Sequence, residues 1–449
     1  MAASRKPLPN SDIVGIVAAS LVRYVPPHAH LTLALSGGLD SVVLLHVLST
    51  LLQHHSFKLQ AVHVHHGLSP YADDWAEFCT RRCAALDIEL AIHRVRIAED
   101  DPAGTEAAAR RERHQVFAAL ASDFLLTAHH QNDQAETLLL QLLRGAGPKG
   151  LSGMAALQEP LGWRAAHFRP LLEVARAELH RYARTQGLDW VEDESNQDSR
   201  YRRNALRHEV MPLLEAHFPG ASQTLARAAA LQAELALLLD DLAQLDAQDA
   251  IERDRLDCGK LAHLSDVRAR NLLRYFIRQQ GWPMPNARRL NEALHQVRDA
   301  QQNACVCVKL GDMAMHRFRG GAYLVPVRLR VDQPPQVWQG EAALDLAAAG
   351  LKVRFPHTLG SGLKRALLDA GRVELRVRAG REKIRLVPGG PHRKLKNLLQ
   401  ESAIPPWERD RIPLLVCDGQ LVWASGIGMS ADFLAAAGEP GIQPEPVSL

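Results

Sequence analysis

The 449-residue chain predicts an α/β fold: a parallel-sheet domain, then a mainly helical middle domain and a small α+β C-terminal domain. Three observations carry that prediction. Strand-like and helix-like apolar segments alternate over the first 200 or so residues, polar clusters follow directly on the strand segments, and the texture turns Ala/Leu-rich beyond 215 and strand-like again beyond 350. The boundaries read as 1–214, 215–330 and 351–449.

In the first domain the strand candidates are 31–35, 59–65, 88–95 and 124–128, with helices near 11–23, 40–54, 73–86, 105–121 and 131–143. The stretch LTLALSGGLDS, residues 31–41, stops an apolar strand on Ser36-Gly37-Gly38 and turns at once into an apolar helix led by Asp40 and Ser41. Two glycines allow unusual backbone angles and leave no Cβ in a ligand's way. The free N–H groups and dipole of the helix start form an anion site. No Gly-Lys-Ser/Thr follows, so the pattern is not a Walker loop. In parallel sheets ligands sit beyond the carboxyl ends of strands, and residues 36–41, His65-His66-Gly67 and 129–133 all fall there.

The segment TAHHQNDQAETLLLQLLRGAG enters a helix with Asp133 and Glu136 three apart, hence on one face. An Asp-x-x-Glu cap explains this blandly. A carboxylate pair for a cationic substrate or metal also explains it, with His129 contacting phosphate or developing charge. In AVHVHHGLSPYADDW, alternation puts His63 and His65 on one strand face. No matching ligand set for zinc appears, leaving a nucleotide-lining loop or simple packing. Arg110, Arg111 and Arg113 share a helix where a solvated face is the default, although Arg110 can reach a phosphate. VEDESNQDSRYRRNALRHEV mixes acids, amides and arginines too densely for an ordinary loop.

Beyond 215, helices are predicted over 221–249, 266–279 and 287–298, with strands at 305–308 and 322–325. VDQPPQVWQGE reads as a linker. The last region alternates as strands (VELRVRAG, KIRLV, LLVCDG, LVWASGI) with one helical insertion at 393–401.

The net charge of +3 hides an uneven distribution: residues 351–400 carry 13 Lys/Arg against 3 Asp/Glu, a net +10, leaving −7 elsewhere. Such a block, which includes Arg393, Lys394 and Lys396, suggests a docked polyanion. Six cysteines without a C-x-x-C pair argue against a disulfide framework, zinc or redox role and fit a reducing compartment. The N-terminus has no apolar leader segment, and no uninterrupted apolar run reaches the length of a membrane span. A soluble cytoplasmic protein is expected, with neither membrane nor DNA as partner.

SGGLDS resembles the signature of the PP-loop ATP pyrophosphatases. VHVHHGLS, GTEAAAR, TAHHQNDQAETLLLQLLRGAGPKGLSGM, RPLL, DESNQDSRYRRNALR and HRKLKNLLQESAIPPWERDRIPLL together resemble one branch of that superfamily, the tRNA(Ile)-lysidine synthetases, in order along most of the chain. The resemblance implies a ligase that adenylates O2 of the wobble cytidine in the CAU anticodon of an isoleucine tRNA, releasing pyrophosphate. The ε-amine of free L-lysine then displaces AMP at C2, giving lysidine and switching the tRNA from methionine to isoleucine identity. It implies ATP on Ser36, Gly37, Gly38, Leu39, Asp40 and Ser41 with His63 nearby, and Mg²⁺ on Asp40. Asp133 and Glu136 are expected to hold lysine, with His129, Arg110, Arg203 and Arg207 completing the catalytic set. Both later domains are expected to bind tRNA. Asn132 stands where the family often has an aspartate and carries no assigned role. Thiolating relatives need placed cysteines and amidotransferase relatives an ammonia supply, and neither is found here. A non-catalytic RNA-binding protein is disfavoured by the intact Asp40, His129, Asp133 and Glu136.

Overall fold

The computed structural model describes residues 13–97, 101, 104–194, 198, 200, 202–300, 306–327, 333–347 and 349–448. They form two compact units, Met1–Leu242 and Ala243–Leu449.

In the first unit the elements run α1 (Ile13–Tyr24), β1 (His30–Ala34), α2 (Leu39–Leu51), β2 (Lys58–His65), α3 (Ala72–Ala84), β3 (Glu89–Arg94), α4 (Thr105–Ala119), β4 (Phe124–Leu126), α5 (Gln131–Leu142), α6 (Pro148–Leu151), β5 (Leu157–Gln158), β6 (Ala166–Phe168), α7 (Arg176–Thr185), α8 (Arg202–Ala205), a π-helical turn at Leu206–Val210, α9 (Met211–His217) and α10 (Ala221–Ala250). The sheet order is β3-β2-β1-β4-β6-β5. Every pairing is parallel except β5 with β6. Leu31, Leu33 and Leu35 sink into a core shared with α1, α2, α3 and α7, while Phe117 of α4 packs with Val62, Leu125 and Trp163 in a second cluster. Each fully buried aliphatic side chain contributes about 1.5–3 kcal/mol. Strand order reverses between β1 and β4, whose carboxyl ends are adjacent, and this is where a ligand crevice forms. β5 and β6 were not predicted from sequence, being two and three residues long, too short for a period-2 signal.

In the second unit, helices Asp266–Gln279 and Ala287–Asp299 pack on a five-stranded antiparallel sheet. The predicted strands of this sheet appear at Val306–Lys309 and Gly321–Pro326; Cys305 lies outside the described residues. Strands Val373–Val377, Pro413–Cys417 and Gln420–Ala424 form the centre of another five-stranded sheet. The single helical insertion expected at 393–401 needs correction. Its helix is Leu395–Glu401, preceded by a strand at Arg393–Lys394, and two more short helices occur at Arg365–Ala370 and Pro406–Arg409. Helices of six and four residues cannot display a 3.6-residue period. Among the described residues no helix is long and apolar enough to cross a membrane.

The loop between β1 and α2 depends on Gly37. Its φ is +86°, and a Cβ there would stand 2.9 Å from Val191 Cγ2 and 3.2 Å from Cys79 Sγ. Gly38 has φ −72°, and a Cβ there would stay 3.5 Å from its nearest neighbour. Gly37→Ala should therefore cost about 1–3 kcal/mol of folding stability, read as a lowered urea midpoint. Gly38→Ala should cost less than about 1 kcal/mol, the difference between Gly and Ala as a helix cap. Equal costs would contradict this reading of the loop.

Candidate active site

The loop after β1 is closed by its own hydroxyls. Ser41 Oγ donates to the Gly38 carbonyl at 2.9 Å, Gly38 N–H donates to Ser36 Oγ at 3.3 Å, and the two hydroxyls lie 3.0 Å apart. Val191 N–H donates to the Gly37 carbonyl at 3.0 Å, bracing the loop from outside. No side chain caps α2 at Gly38. The N–H groups of Leu39, Asp40 and Ser41 thus open the positive end of a 13-residue helix without intrahelical partners. Directly behind the loop, buried His63 donates its Nδ1–H to the Leu35 carbonyl at 2.8 Å.

Asp40 stands in the first turn of α2, facing α5. Its Oδ1 is buried with no hydrogen-bond partner, and its Oδ2 is 3.6 Å from His130 Nε2. Burial raises its pKa, countered in part by His130 and Arg176. A carboxylate oxygen withdrawn from water and left unpartnered fits a cation. Among the described residues no three His, Cys, Asp or Glu side chains converge as a metal-ligand set. The unpartnered carboxylate oxygen of Asp40 is a donor of the kind Mg²⁺ takes, one or two carboxylates together with water and phosphate oxygens.

α5 is capped by His130, three residues ahead of the Asp-x-x-Glu cap that spacing suggested. His130 Nδ1 accepts from Asp133 N–H at 3.3 Å, while Asp133 Oδ2 accepts from His130 N–H at 3.0 Å. An accepting Nδ1 leaves the ring proton on Nε2, turned toward Asp40 and Asp133. Glu136, outside the cap, is 2% exposed.

Asp133 and Glu136 lie on one face, as expected, and hold two guanidiniums. Arg203 places Nε 2.9 Å from Glu136 and Nη2 2.9 Å from Asp133. Arg207 places Nε 2.7 Å from Glu136 Oε1 and Nη2 2.8 Å from Asp133 Oδ1. Burial alone would raise Asp133, but the facing His130 and Arg203 more than reverse this and hold it at about 2. His129, half-buried, is pushed down to about 4 by burial.

Asp40, His129, Asp133, Glu136, Arg203 and Arg207 thus form one cluster. Arg110 is exposed on α4 and acts electrostatically on His167 and Arg169 at the edge of that cluster. Sequence reasoning missed His130, Arg169 and Arg176. The His-His doublet preceding Asp133 was a usable signal for the first. RPLL flagged the second without a role, and a lone arginine gives no signal for the third. Asn132 clamps the frame: its Oδ1 accepts from Arg176 N–H at 3.0 Å and its Nδ2 donates to Ser222 Oγ at 3.2 Å.

Three family models match the chain: a PP-loop domain over 15–214, a TilS substrate binding domain over 256–323 and a TilS substrate C-terminal domain over 373–445. The tRNA(Ile)-lysidine synthase of Azoarcus sp. (strain BH72) is 44% identical over 423 residues, covering 94% of this chain and 92% of its own length. The chain belongs to the tRNA(Ile)-lysidine synthase family. A second relative of that name, from Nitrosomonas europaea, is 41% identical over 98% of this chain and 96% of its own length. A third, from Aromatoleum aromaticum, is 44% identical over 93% and 97%. As a PP-loop member of the lysidine synthase family the chain uses ATP, and the uncapped start of α2 is the element suited to phosphate.

The buried histidines make stability pH-dependent. In the unfolded chain His129 and His167 take protons as pH falls through about 6.5, whereas burial keeps them neutral in the folded protein down to about 4 and about 3. The unfolded state binds more protons in that window. Their contribution is therefore complete above about 6.5 and lost as pH falls toward 4. Urea midpoints should drop between about pH 7 and about pH 5. The double variant His129→Gln/His167→Gln should show a shallower drop, and an unchanged slope would contradict the assignment.

Proposed function

We propose that the chain joins free L-lysine to C2 of the wobble cytidine in a CAU-anticodon isoleucine tRNA, through an adenylated cytidine, with release of pyrophosphate and then AMP. The observation that carries this reading is the placement of an uncapped helix start and an unpartnered Asp40 oxygen beside a carboxylate pair that already holds cationic side chains.

In the first step the N–H groups at Ser36–Ser41 cradle the pyrophosphate that leaves as O2 attacks the α-phosphorus. Asp40 would hold Mg²⁺, which supplies neutralisation of phosphate charge. Neutral His129 offers a hydrogen bond to the α-phosphate oxygens, and Arg110 offers a charge at the edge of the cluster. In the second step lysine's ammonium takes a place on Asp133 and Glu136 now held by a guanidinium. Arg203 and Arg207, once displaced, are the natural partners of the AMP phosphate or the lysine carboxylate. Asp133, held at about 2, stays ionised and binds charge; Glu136 is the neighbouring carboxylate placed to take the proton that the amine sheds.

The tRNA phosphates are met by the basic C-terminal region, whose charge is smaller than the block 351–400 suggests. Over 333–449 the chain carries 15 Lys/Arg against 12 Asp/Glu. Lys364, Arg378, Arg385 and Arg393 each pair with an acid outside the block, Glu439, Asp410, Asp432 and Glu401. Among the described residues Arg354, Arg381, Lys383, Lys394 and Lys396 have no carboxylate partner. Lys383 and Lys394 sit directly opposite each other across a two-stranded ribbon, an arrangement that repels unless an anion lies over it.

Pyrophosphate release from ATP with lysine and tRNA tests the catalytic reading. Asp40→Ala should lose at least about 100-fold in rate, and near wild-type release would overturn the role of Asp40. In the same assay Glu136→Gln should raise KM for lysine by about 10- to 100-fold, the value of a charge-assisted hydrogen bond, with KM for ATP little changed. The reverse split would exchange the roles of the two sites. Joint replacement of Lys383, Lys394 and Lys396 by Gln should flatten the salt dependence of tRNA binding by about 0.7–0.9 in log–log slope per lost phosphate contact. Parallel slopes would return this ribbon to a solvated face.

A further inference from the structure

Arg169, His167, Thr127 and His129 make a hydrogen-bonded chain whose direction is fixed from one end. Arg169 follows β6, is 7% exposed and is anchored by Nη1 donating to the Ala155 carbonyl at 2.7 Å and by its backbone N–H donating to the Ala156 carbonyl at 2.8 Å. A guanidinium has donors only. Its Nη2 lies 2.9 Å from His167 Nδ1, so that nitrogen accepts and the His167 proton sits on Nε2. His167 Nε2 lies 2.8 Å from Thr127 Oγ1. Having accepted there, the Thr127 hydroxyl has one hydrogen to give, and His129 Nδ1 is 2.8 Å away. His129 therefore accepts on Nδ1 and carries its proton on Nε2.

The relay is held rigidly. Thr127 directly follows β4 and His167 stands on the adjacent parallel strand β6, with Thr127 N–H donating to the Phe168 carbonyl at 3.0 Å. Trp163 stacks on the His167 ring with centroids 5.7 Å apart and planes 22° apart. Burial keeps both rings neutral, at about 4 for His129 and about 3 for His167, so neither end of the relay reverses by protonation near neutral pH.

We propose that Arg169, His167 and Thr127 are positioning residues that lock His129 in its neutral Nε2–H tautomer, making it a hydrogen-bond donor to an anionic oxygen of the reacting nucleotide and barring it from acting as a general base. The donor role rests on the assignment of His129 to the nucleotide phosphate; the tautomer does not, and the two are read separately.

The test uses the full-length chain with ¹⁵N-labelled histidine and long-range ¹H–¹⁵N correlation of the rings, His129 being assigned by its loss in His129→Asn. At neutral pH the wild type should show His129 with an unprotonated Nδ1 and a protonated Nε2. A proton on Nδ1, or on both nitrogens, overturns the relay, and this needs no variant to fold. Thr127→Ser keeps the hydroxyl and should keep the pattern, with turnover close to wild type. Thr127→Val keeps the shape but removes the donor. The His129 signals should then shift toward mixed tautomers, and kcat should fall by about 10- to 100-fold, as for other residues that orient a functional histidine, with KM for lysine unchanged. An unchanged tautomer in Thr127→Val overturns the relay. A shifted tautomer with unchanged kcat overturns the donor role of His129 while leaving the Asp40 and Glu136 assignments to their own assays.

Discussion

Two carboxylates and two guanidiniums meet where the carboxyl ends of β1 and β4 face each other. Asp133 and Glu136 are nearly withdrawn from water, at 7% and 2% exposure, and neither is tolerable there as an unpaired charge. Removing one partner of a buried pair typically costs about 3–5 kcal/mol. That requirement draws Arg203 and Arg207, carried on α8 and the π-helical turn, against α5. The two carboxylates are held by cations of their own chain. Under the proposed function, lysine's ammonium would exchange for one guanidinium at little net change in charge.

His130 links this cluster to the phosphate loop. By capping α5 it spends Nδ1 on the backbone and turns Nε2–H toward both Asp40 and Asp133. The residue that starts the helix thereby bridges the proposed cation site and the proposed lysine site. His129, one position earlier, is governed from the opposite side by a chain that begins at Arg169. Adjacent histidines with the same proton placement owe it to different neighbours, one to a helix cap and the other to a side-chain relay.

The C-terminal region shows a different use of charge. Arg378 and Arg385 pair with carboxylates far along the chain, and Arg365, Arg372, Arg376 and Arg393 with nearby ones, which leaves the lysines of one short ribbon among the unpaired charges. Counting charge over a sequence window overstated the field of this region, because several of the acids that neutralise it come from before and after the window.

The order of strands and helices from α1 to α5, the buried faces of β1 and α2, and the glycine turn between them were legible in the sequence, since apolar periodicity and Gly37 act over a few neighbouring residues. The places of Asp40 and Asp133 in the first turns of α2 and α5, with Glu136 on the same face as Asp133, were legible for the same reason, whereas assigned roles for them came only with the family resemblance. The partners of those residues were not legible. Arg203 and Arg207 meet carboxylates 67 to 74 positions earlier, and His167 reaches Thr127 across 40. Nothing in a local pattern states which of many arginines or histidines will arrive. Only the parallel pairing of β1, β4 and β6 brings those ends together. The proton positions of His129 and His130 follow from that meeting, because a tautomer is set by the atom opposite each nitrogen and not by the residue that bears it.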